Sequence, residues 1–114
     1  MRFPRLIGLT AALLGSTSLA LAQSAPSNVN LVFIVDESGS MSGEHTFLGQ
    51  VATDIETALL DFGVNSVNYG LVGFGDSSNT GGHVISGLTN SAGFIAATGS
   101  LVINGGTEDG FSGI

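Results

Sequence analysis

Two apolar runs separated by an amphipathic stretch constrain the fold of this 114-residue chain more than any other feature. Leu31 to Val35 is an unbroken apolar run rich in branched side chains, which is typical of a strand buried on both faces of a parallel sheet. Val67 to Phe74 has the same character and predicts a second buried strand. The order strand, helix, strand predicts a βαβ unit and an α/β fold: a doubly wound, mostly parallel sheet flanked by helices.

The predicted helix between these strands has its apolar residues on one face. They are Phe47, Leu48, Val51, Ala52, Ile55, Ala58, Leu59 and Phe62. We expect Ser42 to cap the helix, Glu44 to complement its positive end, and Gly63 to close it.

The remainder of the chain has weaker signals. We expect a third strand near His83 to Ile85 and a second helix from Ser91 to about Thr98, while Leu101 to Ile103 fits either a strand or a helix end. The final segment from Gly105 onward predicts a tight loop that enters another helix. We therefore expect the domain to be incomplete at its C-terminal end.

The N-terminus has the three-part pattern of a secretory signal peptide. Arg2 and Arg5 precede an apolar run from Leu6 to Leu14, and small residues ending at Ala22 follow. The alternative is a membrane anchor, but the apolar core is only about nine residues, against the roughly 20 that a spanning helix needs. We predict cleavage of residues 1–22 and a secreted, extracellular location (periplasmic or cell-surface in a bacterium), with no membrane span in the mature chain.

The charge of the remaining chain excludes several classes of function. Residues 23–114 contain no Lys or Arg but all nine Asp and Glu residues. Such a chain cannot neutralise nucleic-acid phosphates, and it lacks the lysine of a Walker-type loop. Acidity alone is also explained by solubility, although cations are its natural partners. With no Cys, stability must come from a packed core, from a metal, or from both.

The most informative polar motif directly follows the first predicted strand. In the segment from Asp36 to Ser40, Asp36, Ser38 and Ser40 alternate with other residues, so an extended backbone sends these three side chains to one side. They lie at the carboxyl end of a parallel strand, where open α/β sheets bind ligands. One carboxylate and two hydroxyls suit Mg²⁺ or Mn²⁺, with Ca²⁺ as a further alternative. Taken alone, the motif is better explained by turn and cap residues.

The wider context makes the motif more specific. An apolar strand precedes it, an amphipathic helix follows it, and a Gly-Gly-Thr turn ending at Thr107 comes later. Together these features resemble the von Willebrand factor type A (VWA) domain, which includes the integrin I-like domains, and its metal-ion-dependent adhesion site. The resemblance covers residues 30–114 and implies the N-terminal portion of such a domain, after an exposed leader at 23–29. It implies that Asp36, Ser38, Ser40 and Thr107 hold the ion.

The turn departs from the usual pattern of the family. Glu108 and Asp109 follow Thr107, which is closer to the integrin β-subunit version, where a Glu contacts the metal. This similarity implies that Glu108 is an additional ligand, the alternative being an acid at the start of a helix. Asp109 is assigned to the helix dipole. The family's further Asp, which follows a later strand, lies beyond Ile114.

Other polar residues are assigned ordinary roles. By alternation Glu37 points away from the ion, and Asp76 fits a loop aspartate better than a ligand. His45 and His83 have no metal-binding partner at a suitable spacing and are interpreted as surface or edge residues. No nucleophile and base are paired, so we do not expect an enzyme.

These observations favour a metal-dependent adhesion or protein-binding module. The expected partner is a protein or extracellular-matrix ligand that offers a carboxylate to the ion. The alternative is a structural extracellular or surface-layer component in which the ion only stabilises the fold.

Overall fold

The computed structural model describes Arg2, residues 24–78, residues 81–106 and Ile114. Its elements are β1 (Asn28–Asp36), α1 (Leu48–Asp61), β2 (Ser66–Phe74), β3 (His83–Thr89) and α2 (Ser91–Thr98), with short 3-10 turns at Gly39–Met41 and His45–Phe47. The predicted signal peptide, except Arg2, lies outside the described residues, as do Thr107 and Glu108. No helix within the described ranges is long and apolar enough to cross a membrane.

The described strands form one mixed sheet in the order β1-β2-β3. β1 and β2 are parallel over their full length, from the pair Asn28 and Ser66 to the pair Asp36 and Phe74, while β3 is antiparallel to β2. β1 begins at Asn28 rather than Leu31 because Asn28, Val29 and Asn30 also pair with β2. The predicted α/β class is therefore confirmed, with a sheet that has one parallel and one antiparallel pair.

Both helices contribute to one hydrophobic core on the same face of the sheet. Ala52 of α1 and Phe94 of α2 are fully buried there, together with Tyr69 and Leu71 of β2. The Phe94 ring lies 4.8 Å from that of Phe33 and 5.5 Å from that of Tyr69, centroid to centroid, in tilted arrangements that favour aromatic pairs. These contacts fix the helices against β1 and β2.

The opposite face of the sheet differs from the prediction. Val32 and Ile34 of β1 remain 57% and 42% exposed, so the expectation that this strand is buried on both faces is wrong for the described part of the chain. The reason is that α1 and α2 pack on the same face, that of Val35. An unbroken apolar run does not by itself reveal whether one face or both are covered.

The C-terminal end of α1 agrees with the prediction, and its N-terminal end does not. Gly63 closes the helix with a φ of +103°, a left-handed conformation that favours glycine. Ser42 does not cap it, because α1 starts only at Leu48, after the two 3-10 turns. α2 has the predicted bounds and is capped by Asn90, whose side chain accepts a hydrogen bond from the Gly93 amide at 2.9 Å.

Tyr69 gives the core a measurable pH dependence. Its buried hydroxyl donates to the Ala52 carbonyl at 3.2 Å, and burial, followed by the nearby Glu56 carboxylate, raises its pKa above 10.0. The unfolded chain therefore loses this proton at a lower pH than the folded chain, so stability is complete below about pH 10 and falls above it.

We expect the free energy of unfolding to decrease as the pH rises above about 10. Tyr69→Phe should remove this pH dependence while costing roughly 1 kcal/mol at neutral pH for the lost hydrogen bond. Denaturant unfolding at several pH values measures both effects. Because the chain has one Tyr and no Trp, ultraviolet absorbance follows this titration directly. A Tyr69 that titrates at pH 10 in the folded protein would contradict its burial.

Candidate metal centre

Three segments meet at the carboxyl edge of the parallel strands. The Glu37 amide, just after β1, donates to the Phe74 carbonyl at the end of β2 at 2.8 Å. Gly105 lies against the same loop, since its amide donates to the Glu37 carbonyl at 3.2 Å and its carbonyl accepts from the Gly39 amide at 2.9 Å. Ser38 and Gly105 thus form an isolated parallel bridge. The loop after β1 is held between the end of β2 and the Gly105 segment.

Two of the predicted ligands lie in contact within this loop. The Oγ atoms of Ser38 and Ser40 are 3.2 Å apart, and the Ser38 amide donates to Asp36 Oδ1 at 2.8 Å. Alternation along an extended backbone explains the contact of the two hydroxyls only in part. Ser38 is extended, but the 3-10 turn that begins at Gly39 folds the chain and brings Ser40 beside it. The loop therefore brings the two hydroxyls into contact and holds the Asp36 carboxylate at the Ser38 amide.

The separation of the hydroxyls can be compared with the needs of a cation. In octahedral Mg²⁺ coordination with bonds of about 2.1 Å, neighbouring ligand oxygens are about 3.0 Å apart. The 3.2 Å between Ser38 Oγ and Ser40 Oγ is close to this value. The donor set of hydroxyls and a carboxylate, all hard oxygen ligands, also fits a divalent cation of this class.

Thr107 and Glu108 lie outside the described residues, but Gly105 and Gly106, which precede them, are described. Gly105 is hydrogen-bonded to the loop containing Ser38, and two residues of extended chain span at most about 7 Å. The described segment that leads to Thr107 is therefore anchored at the loop of the hydroxyl pair. Its own contacts and those of Glu108 remain predictions.

His45 is more closely connected to this loop than the sequence indicated. Its Nε2 lies 2.7 Å from the backbone carbonyl of Asp36, at the end of β1. A cleft of about 260 Å³ next to Asp36 is lined mainly by apolar side chains, among them Ile34, Met41 and Leu48. His45 thus links the 3-10 turn before α1 to the carboxyl end of the strand.

A second polar cluster lies behind the loop. Glu37 is 1% exposed; its Oε1 accepts from the Val102 amide at 3.0 Å, and its Oε2 lies 3.2 Å from His83 Nε2. Asp76 Oδ2 is 3.8 Å from the same nitrogen. His83 lies on the edge strand β3 and Asp76 in the loop after β2, as expected, but the sequence did not indicate that Glu37 and Asp76 both approach the His83 ring.

Strand register was the signal that could have revealed this cluster. His83 pairs with Gly73 across β2 and β3, and the Glu37 amide is bonded to the next residue, Phe74. Gly73 is also required for space, since a Cβ there would collide with the Glu37 carboxylate. Spacing along the sequence cannot show such a contact, because the residues come from three segments.

No protein-family model matches the chain, and no curated protein sequence matches it either.

Proposed function

We propose that this chain is part of a secreted VWA-type module that binds a divalent cation, Mg²⁺ or Mn²⁺, and uses the ion to engage an acidic group of a protein partner. Asp36, Ser38 and Ser40 are the proposed ligands, completed by Thr107 and by Glu108. The observation that carries the proposal is the 3.2 Å contact of the Ser38 and Ser40 hydroxyls beside Asp36, at the carboxyl edge of a parallel strand pair.

The bridge between Ser38 and Gly105 supports the proposal independently. The motif after β1 and the Gly-Gly-Thr turn are separated by more than sixty residues, yet the backbone hydrogen bonds of Gly105 hold them together. A turn and cap role for Asp36, Ser38 and Ser40 would not require this second segment. In a cation site, the segment that continues from Gly105 supplies the remaining ligands, Thr107 and Glu108.

The composition of the site favours binding of a partner over simple storage of an ion. The proposed ligands are two carboxylates, Asp36 and Glu108, and three neutral hydroxyls, so an octahedral ion keeps one open position. Mg²⁺ and Mn²⁺ also retain water molecules that a carboxylate can displace. A carboxylate from outside can occupy the open position, whereas a cage that supplied all the ligands would leave none.

Water-proton relaxation with Mn²⁺ tests this function. We expect the wild-type protein to enhance relaxation, because the bound ion keeps coordinated water, and we expect acetate to lower the enhancement saturably by displacing one water. Asp36→Asn should show no enhancement from this site. Ser42→Ala should behave like wild type, because Ser42 is an exposed serine in the same loop.

The result also distinguishes the two candidate functions. If Mn²⁺ binds through Asp36 but acetate leaves the relaxation unchanged, the ion has no exchangeable position. A binding module that acts through the ion would then be contradicted, and a structural role for the ion would replace it.

A further inference from the structure

Glu37, Asp76 and His83 form a second cluster of potential metal ligands, and none of them belongs to the ligand set of the Asp36 loop. One ligand atom from each residue lies within 4.8 Å of the others. Tetrahedral Zn²⁺ with bonds of about 2.0–2.1 Å places neighbouring ligand atoms about 3.4 Å apart. The distances of 3.2 Å and 3.8 Å from His83 Nε2 to the two carboxylates lie on either side of that value.

The burial of Glu37 is a second observation that favours a bound ion. Its side chain is almost completely buried, and within the described residues its Oε2 accepts no hydrogen bond, although His83 Nε2 lies 3.2 Å away. A buried carboxylate oxygen without a hydrogen bond is costly. Oε2 points into the cluster, toward the imidazole of His83.

The chain has few basic side chains that could compensate the negative charge of the two carboxylates in this cluster. The sequence has no Lys or Arg after Arg5, so His45 and His83 are the only later side chains that can carry positive charge. His45 is placed at the Asp36 carbonyl. A divalent ion balances both carboxylates and takes the imidazole as a neutral ligand.

We propose that Glu37, Asp76 and His83 form a second cation site, separate from the Asp36 loop, that takes Zn²⁺. The imidazole nitrogen selects for a transition metal of this class over Mg²⁺, for which oxygen ligands are preferred. Three protein ligands leave a fourth position for water. The ion joins the ends of β1 and β2 to the start of β3, directly behind the loop that holds Ser38.

Nuclear magnetic resonance of the histidine rings tests the site in the unaltered protein. The chain has two histidines, so Zn²⁺ should shift the ring signals of His83 and leave those of His45 unchanged. A titration that moves neither ring, or only the ring of His45, would overturn the proposal.

Two variants test the ligands by calorimetry. Glu37→Gln and His83→Gln should each weaken Zn²⁺ binding by about tenfold or more, while His45→Gln, the matched control, should not. Glu37→Gln is nearly isosteric and keeps an oxygen that accepts from the Val102 amide, and circular dichroism verifies its fold. Wild-type Zn²⁺ affinity in both variants would identify the cluster as an ion pair without a metal.

Mg²⁺ binding separates this proposal from the function proposed above. Asp36→Asn should abolish Mg²⁺ binding and preserve the Zn²⁺ response of His83, and His83→Gln should do the opposite. Loss of both ions in each variant would show a single shared site and would contradict a separate one.

Discussion

Gly105→Ala is expected to lower the free energy of unfolding by roughly 2–4 kcal/mol and to weaken Mg²⁺ binding on the order of tenfold. A Cβ at this position would collide with the backbone of Gly75 and approach Asp76. Because the colliding atoms belong to the backbone, a change of rotamer cannot relieve the contact. The Gly105 segment must instead move away from the loop after β1.

That movement would break the hydrogen bonds that define the candidate centre. The Gly105 amide would lose the Glu37 carbonyl, and the Gly39 amide would lose the Gly105 carbonyl. The Gly105 segment, which leads to the proposed ligand Thr107, would no longer be fixed against the loop of Ser38. The stability loss and the loss of metal affinity therefore have the same structural cause.

Gly106→Ala is the matched control for this prediction. A Cβ at Gly106 has no heavy atom within 4 Å, so this substitution should change stability by less than about 0.5 kcal/mol. Denaturant unfolding and Mg²⁺ titration of both variants provide the comparison. Equal, small effects at the two glycines would show that the Gly105 segment does not hold the site together.

The order of strands and helices was predictable because local patterns determine it. Apolar runs marked β1 and β2, the spacing of apolar residues marked α1, and Gly63 ended that helix at the predicted place. The exposed face of β1 was not predictable. Val32 and Ile34 have the same apolar character as buried residues, and only the placement of both helices on the other face determines their exposure.

The two candidate cation sites differ in the same way. Asp36, Ser38 and Ser40 are close in sequence, so a local motif was sufficient to find them, although the 3-10 turn that brings Ser40 to Ser38 was not anticipated. Glu37, Asp76 and His83 come from three segments whose contact depends on strand register. Without that register, each residue was interpreted separately and the cluster was missed.

Asp36→Asn is expected to abolish measurable Mg²⁺ binding while preserving the fold. Asn keeps a carbonyl oxygen that can accept from the Ser38 amide, as Asp36 Oδ1 does at 2.8 Å, so the loop geometry is retained and only the charge is removed. Mg²⁺ requires this charge, because the neighbouring Ser38 and Ser40 contribute neutral hydroxyls. Ser38→Ala should weaken binding on the order of tenfold by removing one of those ligands.

Calorimetric titration of the protein with Mg²⁺ is the most direct test of the central claim. The wild-type protein and Ser42→Ala should bind one Mg²⁺ with equal affinity, Ser38→Ala should bind it more weakly, and Asp36→Asn should give no measurable heat of binding. Circular dichroism of each variant verifies that the fold is intact. Equal Mg²⁺ affinity in the wild type, Asp36→Asn and Ser38→Ala would contradict the assignment of the cation to this loop.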